Sequence, residues 1–468
     1  MKKIKFLIYF VIVSVLPLNS CQDDFLDKPA LGVLDEAVLA NREGLNGLLI
    51  GAYSQLNGSP AALWFASPSN FLFGSIAGGD AHKGADGGSE IPMDAIMRMT
   101  VDPTNGYINA AWNYYYEGVT RANSVLRVAE QVDDIPDEEL ANIIGQARFI
   151  RGHFYSYLKK MFDNIPWIDE HTTDFHQPNT VDTWPMIEAD FRYAMEHLNE
   201  TQPDVGRANR WAAAAYLAKT YLYQEKFQEA KEIFDQVISS GVTSNGLTYG
   251  LLPRFQHNFD AAMQNNEESV FAVQMVAQDG TNDILNANVG DMLNFPYGGP
   301  FSCCGIFQPS QDLVNSYRTN AANGLPYIHD YNQHEVKHDM GLSSSQPFEP
   351  DAGPLDPRLD WTVGRRGIPY LDWGNHPGND WIRDQNYAGP YAPIKNVYRQ
   401  ETQDQYASFY SWAPGTAINL LIIRFSDVLL MAAEAEANLG NPESGGSICE
   451  PGQEQGGQSR WICQEIHQ

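Results

Sequence analysis

The sequence is poor in cysteine and in basic residues. Its glycine runs also lack the residues that would make them phosphate-binding loops. It has five cysteines among 468 residues, and the adjacent pair Cys303-Cys304 has no second cysteine or histidine pair at ligand spacing, which argues against a metal site there. Gly78-Gly79 lacks the Lys-Ser/Thr and the helix that a nucleotide-binding loop needs. Lys and Arg total 30 against 58 Asp and Glu, a net charge of −28. We therefore expect no nucleic-acid partner, because such partners require basic patches.

A long apolar run is also missing, apart from a short one near the start. Residues 6–16 are apolar but too few to span a bilayer, and three lysines precede them, as in a secretory signal. Leu18, Asn19 and Ser20 then lead into Cys21, which resembles a bacterial lipoprotein box. The sequence predicts that residues 1–20 are a signal peptide and that acylated Cys21 holds the chain on a membrane. The alternative is a plain signal peptide that happens to contain a cysteine.

The clearest repeat signal lies in residues 206–239. No glycine or proline occurs between Gly206 and Gly241, and apolar residues recur at helical spacing. The spacing is that of a tetratricopeptide helix pair, with Leu217, Ala218, Tyr221, Phe227, Ala230, Phe234 and Val237 along its seam. An ordinary helical hairpin of another α fold is the alternative. Because one such pair cannot bury its own apolar face, it needs similar neighbours. The pattern predicts further helices at residues 43–56, 105–132, 138–162, 182–198, 309–317 and 417–439.

The remaining stretches are punctuated by glycine, proline and aromatic residues. We predict a mainly α fold: a tetratricopeptide-like α/α scaffold, mainly residues 105–240 and 417–440, carrying a large irregular loop-rich lobe. That lobe comprises residues 58–93, where the glycines argue against a helix, and residues 246–414. Loops that set aromatic rings beside polar side chains suit sugars, whose C–H faces stack on rings and whose hydroxyls need paired donors and acceptors. The candidate ligand-binding residues are Trp64, Asp80, Lys83, Tyr370, Trp373 and Trp381.

Each candidate has an ordinary structural alternative. The aromatic residues could be core, whereas Asp80 and Lys83 could be a solvated loop tip or a mutual salt bridge. Cys303-Cys304 could be a vicinal disulfide or, slightly favoured, two buried thiols. His334-Glu335-Val336-Lys337-His338 matches the H-E-x-x-H zinc-hydrolase motif, but its flanks lack the apolar stripe of a buried helix. The chemistry thus leaves three hypotheses: a glycan-binding protein, a surface zinc hydrolase using His334, Glu335 and His338, and a repeat scaffold that binds only protein.

Several motifs along almost the whole chain resemble, in order, those of the SusD/RagB family of Bacteroidota surface lipoproteins. They are Cys21-Gln-Asp-Asp-Phe-Leu-Asp, Trp112 with Tyr116 and Arg121-Ala-Asn, Ala147-Arg-Phe-Ile-Arg-Gly with Tyr155, Ala215-Tyr-Leu-Ala-Lys-Thr-Tyr-Leu, Asp356-Pro-Arg-Leu and Arg424-Phe-Ser-Asp-Val-Leu-Leu-Met. The resemblance implies a non-catalytic protein without cofactor or metal. It also implies a domain over residues 21–444 whose scaffold contacts a SusC-like TonB-dependent porter. The opposite face would bind an oligosaccharide or polysaccharide, and Gln22-Asp23-Asp24 is similar to the signal for export to the cell exterior at the outer membrane.

The end of the chain departs from that pattern. Residues 445–468 are rich in glycine, contain two cysteines and show no apolar period, where the family continues into the second helix of a repeat. We expect a frameshift near Gly445 or Gly446, because codons exist whose shifted reading spells an amphipathic helix. The tail would then be aberrant and the C-terminal repeat truncated.

Overall fold

The computed structural model describes residues 36–58, 63–301 and 303–448. The predicted signal peptide, Cys21 and residues 449–468 lie outside the described residues. No described helix has both the length and the apolar character needed to cross a bilayer.

Helices dominate the described chain, at 44% helix against 9% strand. The α-helices are α1 (Glu36–Leu39), α2 (Arg42–Ser54), α3 (Ile91–Met97), α4 (Gly106–Ala129), α5 (Asp137–Phe162), α6 (Trp184–His197), α7 (Arg210–Leu222), α8 (Phe227–Ser240), α9 (Gln311–Ser316), α10 (Gln385–Ala388), α11 (Gln403–Tyr406), α12 (Phe425–Asn438) and α13 (Pro442–Ile448). The strands are β1 (Ala81–Gly84), β2 (Ser269–Val273), β3 (Ile306–Pro309), β4 (Val363–Gly364), β5 (Ala392–Pro393), β6 (Ala407–Ser408), β7 (Gly415–Thr416) and β8 (Leu420–Arg424). The strands pair only in antiparallel twos: β1 with β3, β2 with β8, β4 with β5 and β6 with β7.

The scaffold is a chain of packed helices. Each helix from α4 to α8 packs against the next, α8 packs against α12, and α12 packs against α13. This arrangement confirms the predicted tetratricopeptide-like fold. Small residues allow the close approach, since a Cβ on Gly118 of α4 would lie 2.2 Å from the ring of Phe154 on α5. Ala218 and Ala230, predicted to line the seam between α7 and α8, are both fully buried.

A pair of antiparallel strands connects the helical scaffold to the lobe. Strand β2 pairs with β8 from Ser269 opposite Arg424 to Val273 opposite Leu420. The ring of Phe271 packs 4.8 Å from that of Phe149 on α5, which places the ladder in the scaffold core. Just beyond it, the side chain of Asn419 accepts from the Met275 backbone N–H at 2.9 Å and donates to the Gln274 side chain at 2.9 Å. The chain therefore leaves the scaffold through β2 and returns through β8.

The predicted helix of residues 417–439 is wrong in its first part. Residues Leu420–Arg424 form β8, and the helix α12 begins at Phe425. The run Leu-Leu-Ile-Ile has no period that separates a buried strand from a buried helix. Pairing with β2 decides the outcome, and Asp427 then caps α12 by accepting from the Arg424 backbone N–H at 2.8 Å.

The first predicted loop, residues 58–93, contains more structure than its glycines suggested. It has a 3₁₀ turn at Leu63–Ala66, a π-helical turn at Leu72–Ile76, strand β1 and the start of α3. The tail also differs at its start, because helix α13 continues to Ile448 and a Cβ on Gly445 would lie 2.9 Å from the Ala433 backbone oxygen of α12. Glycine is therefore the residue that lets α13 lie this close to α12.

A buried ion-pair network fixes three scaffold elements. The guanidinium of Arg151 on α5 donates to both carboxylate oxygens of Asp190 on α6 at 2.7 Å, to the side chain of Asn123 on α4 at 2.9 Å, and to Glu170. The side chains of Arg151 and Asp190 are only 4% and 2% exposed. Charges this buried are tolerated only when they are fully paired.

We predict that Arg151→Met lowers the free energy of unfolding by about 3–5 kcal/mol, because it leaves the Asp190 carboxylate buried without its partner. The matched control is Arg42→Met. Arg42 pairs with Glu139 through side chains that are 50% and 35% exposed, so its loss should cost less than about 1 kcal/mol. Urea unfolding followed by tryptophan fluorescence measures both values, and equal losses would contradict the role given to the network.

Candidate ligand-binding face

Three predicted aromatic candidates lie inside the lobe. Tyr370 has no exposed surface, and its hydroxyl donates to the Pro393 backbone oxygen. Trp381 is 9% exposed and lies 5.5 Å from the Tyr370 ring, and the half-buried Trp373 donates its indole N–H to the Tyr398 backbone oxygen at 3.0 Å. These rings pack around Phe301 as a small core. The placement of Tyr370 and Trp381 corrects the sequence prediction, because a buried ring offers no face to a sugar.

The prediction that Lys83 binds ligand is also corrected, because the structure gives this residue a structural role. Its side chain is fully buried in β1, where the ammonium group donates to the backbone oxygens of Asp86, at 2.6 Å, and Ser89. The Nζ atom also lies 3.9 Å from an Asp94 oxygen and 4.7 Å from the Tyr387 ring centre. Burial lowers the pKa of Lys83. With these partners Lys83 closes the turn of residues 85–89, and it pairs with Asp94 rather than with Asp80.

Asp80 stays at the surface where β1 meets β3. Its backbone oxygen accepts from the Ser310 N–H at 2.9 Å. Burial, and secondarily the charge of Asp312, raise the pKa of Asp80. The role of Asp80 in ligand binding stays a prediction.

Trp64 is the predicted candidate that meets other surface aromatic rings. Its indole N–H donates to a Glu90 carboxylate oxygen at 3.2 Å, and its ring lies edge-on to that of Trp412 at 5.9 Å. Trp64 itself is half-buried against the second hydrophobic cluster of the lobe. The first loop therefore reaches the surface beside the C-terminal end of the lobe.

The hairpin formed by β6 and β7 presents aromatic residues that the sequence analysis missed. Ala407 pairs with Thr416 and Ser408 with Gly415, which leaves a tip of six residues. In this tip Phe409, Tyr410 and Trp412 are 50%, 55% and 55% exposed. Exposed large aromatic residues so close together mark a binding surface more often than chance. The signal was present as Phe-Tyr-Ser-Trp followed by Ala-Pro-Gly, three aromatic residues directly before a turn.

Polar side chains lie next to Trp64 on the same surface as the hairpin tip. The Ser89 hydroxyl accepts from the Arg383 guanidinium at 3.0 Å, and Arg383 pairs with Asp86 at 2.7 Å. The same guanidinium lies 5.0 Å from the ring centre of Tyr297, which is 39% exposed. We call this surface the aromatic face, defined by Trp64, Glu90, Tyr297, Arg383, Phe409, Tyr410 and Trp412. It offers ring faces together with carboxylate acceptors and a guanidinium donor.

Two buried or half-buried groups pack beneath residues of the aromatic face. Cys303 and Cys304 are joined in a vicinal disulfide, which corrects the slight preference for free thiols, and they pack against the same cluster as Trp64. The buried carboxylate of Asp291 accepts from the amides of Asn288 and Asn396 at 2.8 Å each. Burial raises the pKa of Asp291. The Asn288 backbone N–H in turn donates to the Thr416 oxygen at 2.7 Å, so this group holds the base of the aromatic hairpin.

The H-E-x-x-H motif does not have the geometry of a zinc hydrolase. Residues 334–339 follow a short 3₁₀ turn and are not helical, so the two histidines do not share a helix face. His334 stacks on Tyr327 at 3.6 Å and contacts Asp330, whereas His338 contacts Glu335 at 3.3 Å. Among the described residues, the side chains close enough together to hold a metal ion are Glu130, Glu170 and His171, which include no part of this motif.

Comparison with known proteins places this arrangement in a family. A family model described as "Starch-binding associating with outer membrane" matches residues 89–222, and the SusD family model matches residues 267–450. SusD-like protein P2 of Formosa agariphila is 29% identical over 276 residues, which are 57% of this chain and 52% of that relative. The chain thus spans about half the length of this curated relative.

Solved structures share the fold. The SusD superfamily protein of Bacteroides vulgatus superposes with a TM-score of 0.64 at 19% identity, covering 92% of this chain and 84% of that one. Surface glycan-binding protein A of Bacteroides thetaiotaomicron, in complex with laminarihexaose, gives 0.61 at 16% identity and covers 88% and 82%. Two models of one family match separate stretches of the sequence, in the order that its motifs predict, and the helical scaffold agrees with both. The chain belongs to the SusD/RagB family.

Proposed function

We propose that this chain is a non-catalytic surface lipoprotein that binds an oligosaccharide on its aromatic face and delivers it to a SusC-like TonB-dependent outer-membrane porter. The observation that carries the proposal is the tip formed by Phe409, Tyr410 and Trp412. Exposing three large aromatic side chains costs free energy in water, so such a tip is kept for contact with a ligand. The glycan-binding character of the family agrees with this proposal.

The chemistry of the aromatic face fits a sugar. Trp412 and Tyr410 offer flat apolar surfaces to the C–H faces of a pyranose ring. Glu90 can accept hydrogen bonds from sugar hydroxyls and Arg383 can donate to them, so polar groups lie beside the rings. The complex of the structurally similar Bacteroides thetaiotaomicron protein with laminarihexaose supports the same class of ligand.

Anchoring and delivery form the second half of the proposal. The acylated Cys21 would hold the chain at the outer membrane facing the cell exterior, in agreement with a family associated with that membrane. The helical scaffold would contact the porter, and glycan binding would favour a state closed over it.

We predict that Trp412→Ala or Tyr410→Ala weakens oligosaccharide binding by about 1–3 kcal/mol, or about fivefold to 150-fold, because each removes one stacking face. Phe175→Ala is the control, since Phe175 is 71% exposed on the scaffold side of the chain. Isothermal titration with a panel of oligosaccharides measures the affinities, and far-ultraviolet circular dichroism checks the fold. Unchanged affinity in both tip variants would move the site away from the hairpin.

The charges of the aromatic face give a second prediction. Asp86 and Glu90 lie on or beside it, and its one arginine, Arg383, is already paired with Asp86. We therefore expect neutral glycans such as laminarin to bind and polyuronates or sulfated glycans to be excluded, most clearly at low salt. Affinity electrophoresis with both kinds of polysaccharide provides the measurement, and retardation by a sulfated glycan alone would contradict it.

The anchor is tested separately. Cys21→Ala should move the protein from the membrane pellet to the soluble fraction when it is expressed without a porter, because no acyl chain then holds it. Cys303→Ala serves as a control for cysteine loss and should leave the protein in the pellet. Membrane fractionation with immunoblotting gives the result, and retention of the Cys21 variant in the pellet would refute the anchor.

A further inference from the structure

A small notch on the helical scaffold contains two lysines. Lys160 near the end of α5 and Lys219 on α7 line a cavity of about 20 Å³, together with Tyr157, Trp184 and Tyr223. The Nζ atom of Lys160 lies 4.3 Å from the ring centre of Tyr157 and 5.2 Å from that of Tyr223. The notch is open to solvent on one side, where Tyr223 is 54% exposed.

Neither lysine has a counter-charge of its own. Within the part of the chain that the structure describes, no carboxylate oxygen lies within 4.0 Å of either ammonium group. The acidic side chain that acts on Lys219 is Asp427, and it is already bound to the backbone and guanidinium of Arg424. His153, behind the notch, is bonded to the Tyr216 hydroxyl at 2.8 Å, and burial lowers its pKa to about 3, so it stays neutral.

Two nearby lysines of the scaffold do have carboxylate partners. Lys159, the next residue along α5, pairs with Asp163 at 2.9 Å and with Asp182 at 3.7 Å. Lys226, just beyond α7, pairs with Glu188. In a chain with 58 acidic and 30 basic residues, partners for a lysine are abundant. The two ammonium groups of the notch are therefore open to a counter-ion from outside the chain.

Electrostatics shows what would stabilise the pair. Lys160 is exposed as a whole residue, yet protein atoms around its ammonium group, followed by the charge of Lys219, lower its pKa to about 7. Burial also lowers the pKa of Lys219. An anion between the two groups would relieve both effects, since an opposite charge favours the charged form of a lysine.

We propose that this notch receives the carboxylate of an aspartate or glutamate side chain presented by a protein partner. The two ammonium groups that line the notch complement the negative charge of a carboxylate. The surrounding Trp184, Tyr157 and Tyr223 are the residue types enriched in protein interfaces. The site lies on the scaffold and is independent of oligosaccharide binding at the aromatic face.

The test uses the full mature chain with ¹³C-labelled lysine and follows the side-chain signals of Lys160 and Lys219 by NMR. N-acetyl-glutamate methylamide and sodium phosphate are titrated separately, with sodium chloride holding the ionic strength constant. We expect a saturable shift of both lysines with the glutamate probe. Lys160→Gln, observed through Lys219, should weaken this binding about fivefold or more, and Lys160→Arg should retain it.

Lys159→Gln is the matched control and should bind the glutamate probe as the unmodified chain does. A response to phosphate without a response to the glutamate probe would make the notch a site for free small anions and overturn the proposal. The absence of any saturable shift would overturn it as well. Oligosaccharide titration of Lys160→Gln should be unchanged, which separates this result from a failure of the proposed glycan binding.

Discussion

The pairing of β2 with β8 is the constraint on which the rest of the molecule depends. These two strands lie in the scaffold core through Phe271 and Ile423, yet almost 150 residues of lobe leave and return between them. Their ladder brings the two ends of the lobe together, and the amides of Gln274 and Asn419 close it on the lobe side. Closing so long a loop costs entropy that rises only slowly with length. A short ladder with a buried apolar face therefore helps to hold the lobe on the scaffold.

The scaffold could be predicted from the sequence because its signals are local. Apolar residues at helical spacing, with breaks such as Pro136 and Gly241, predicted α4 to α8 to within a few residues. The error at residues 417–424 shows the limit of that reasoning. A run such as Leu420-Leu-Ile-Ile fits a strand or a helix equally well, and only the position of β2, about 150 residues earlier, decides between them. Strand pairing between distant segments cannot be read from the hydrophobic pattern of either segment alone.

The candidate site was less predictable for a related reason. Aromatic residues are enriched both in cores and in sugar sites, so the density of rings around Tyr370 and Trp381 indicated the wrong class of environment. Lys83 illustrates the same difficulty, since three acceptors from a later turn and from α3 satisfy a charge that would otherwise stay at the surface. Trp64 stays a candidate, and its neighbour Trp412 lies 348 positions away in the sequence, so only the fold brings the two rings together.

The aromatic hairpin has a consequence for how such proteins diverge. Phe409, Tyr410 and Trp412 stand beyond a ladder of two residue pairs, and the base of that ladder is fixed by Asp291 and Asn288 rather than by the rings themselves. Because the tip residues are about half exposed, exchanging one of them removes little buried surface. Substitutions can thus alter the exposed rings of the tip in single steps while the framework beneath it stays constant. A protein with this hairpin could therefore change what its tip contacts without first gaining stability elsewhere.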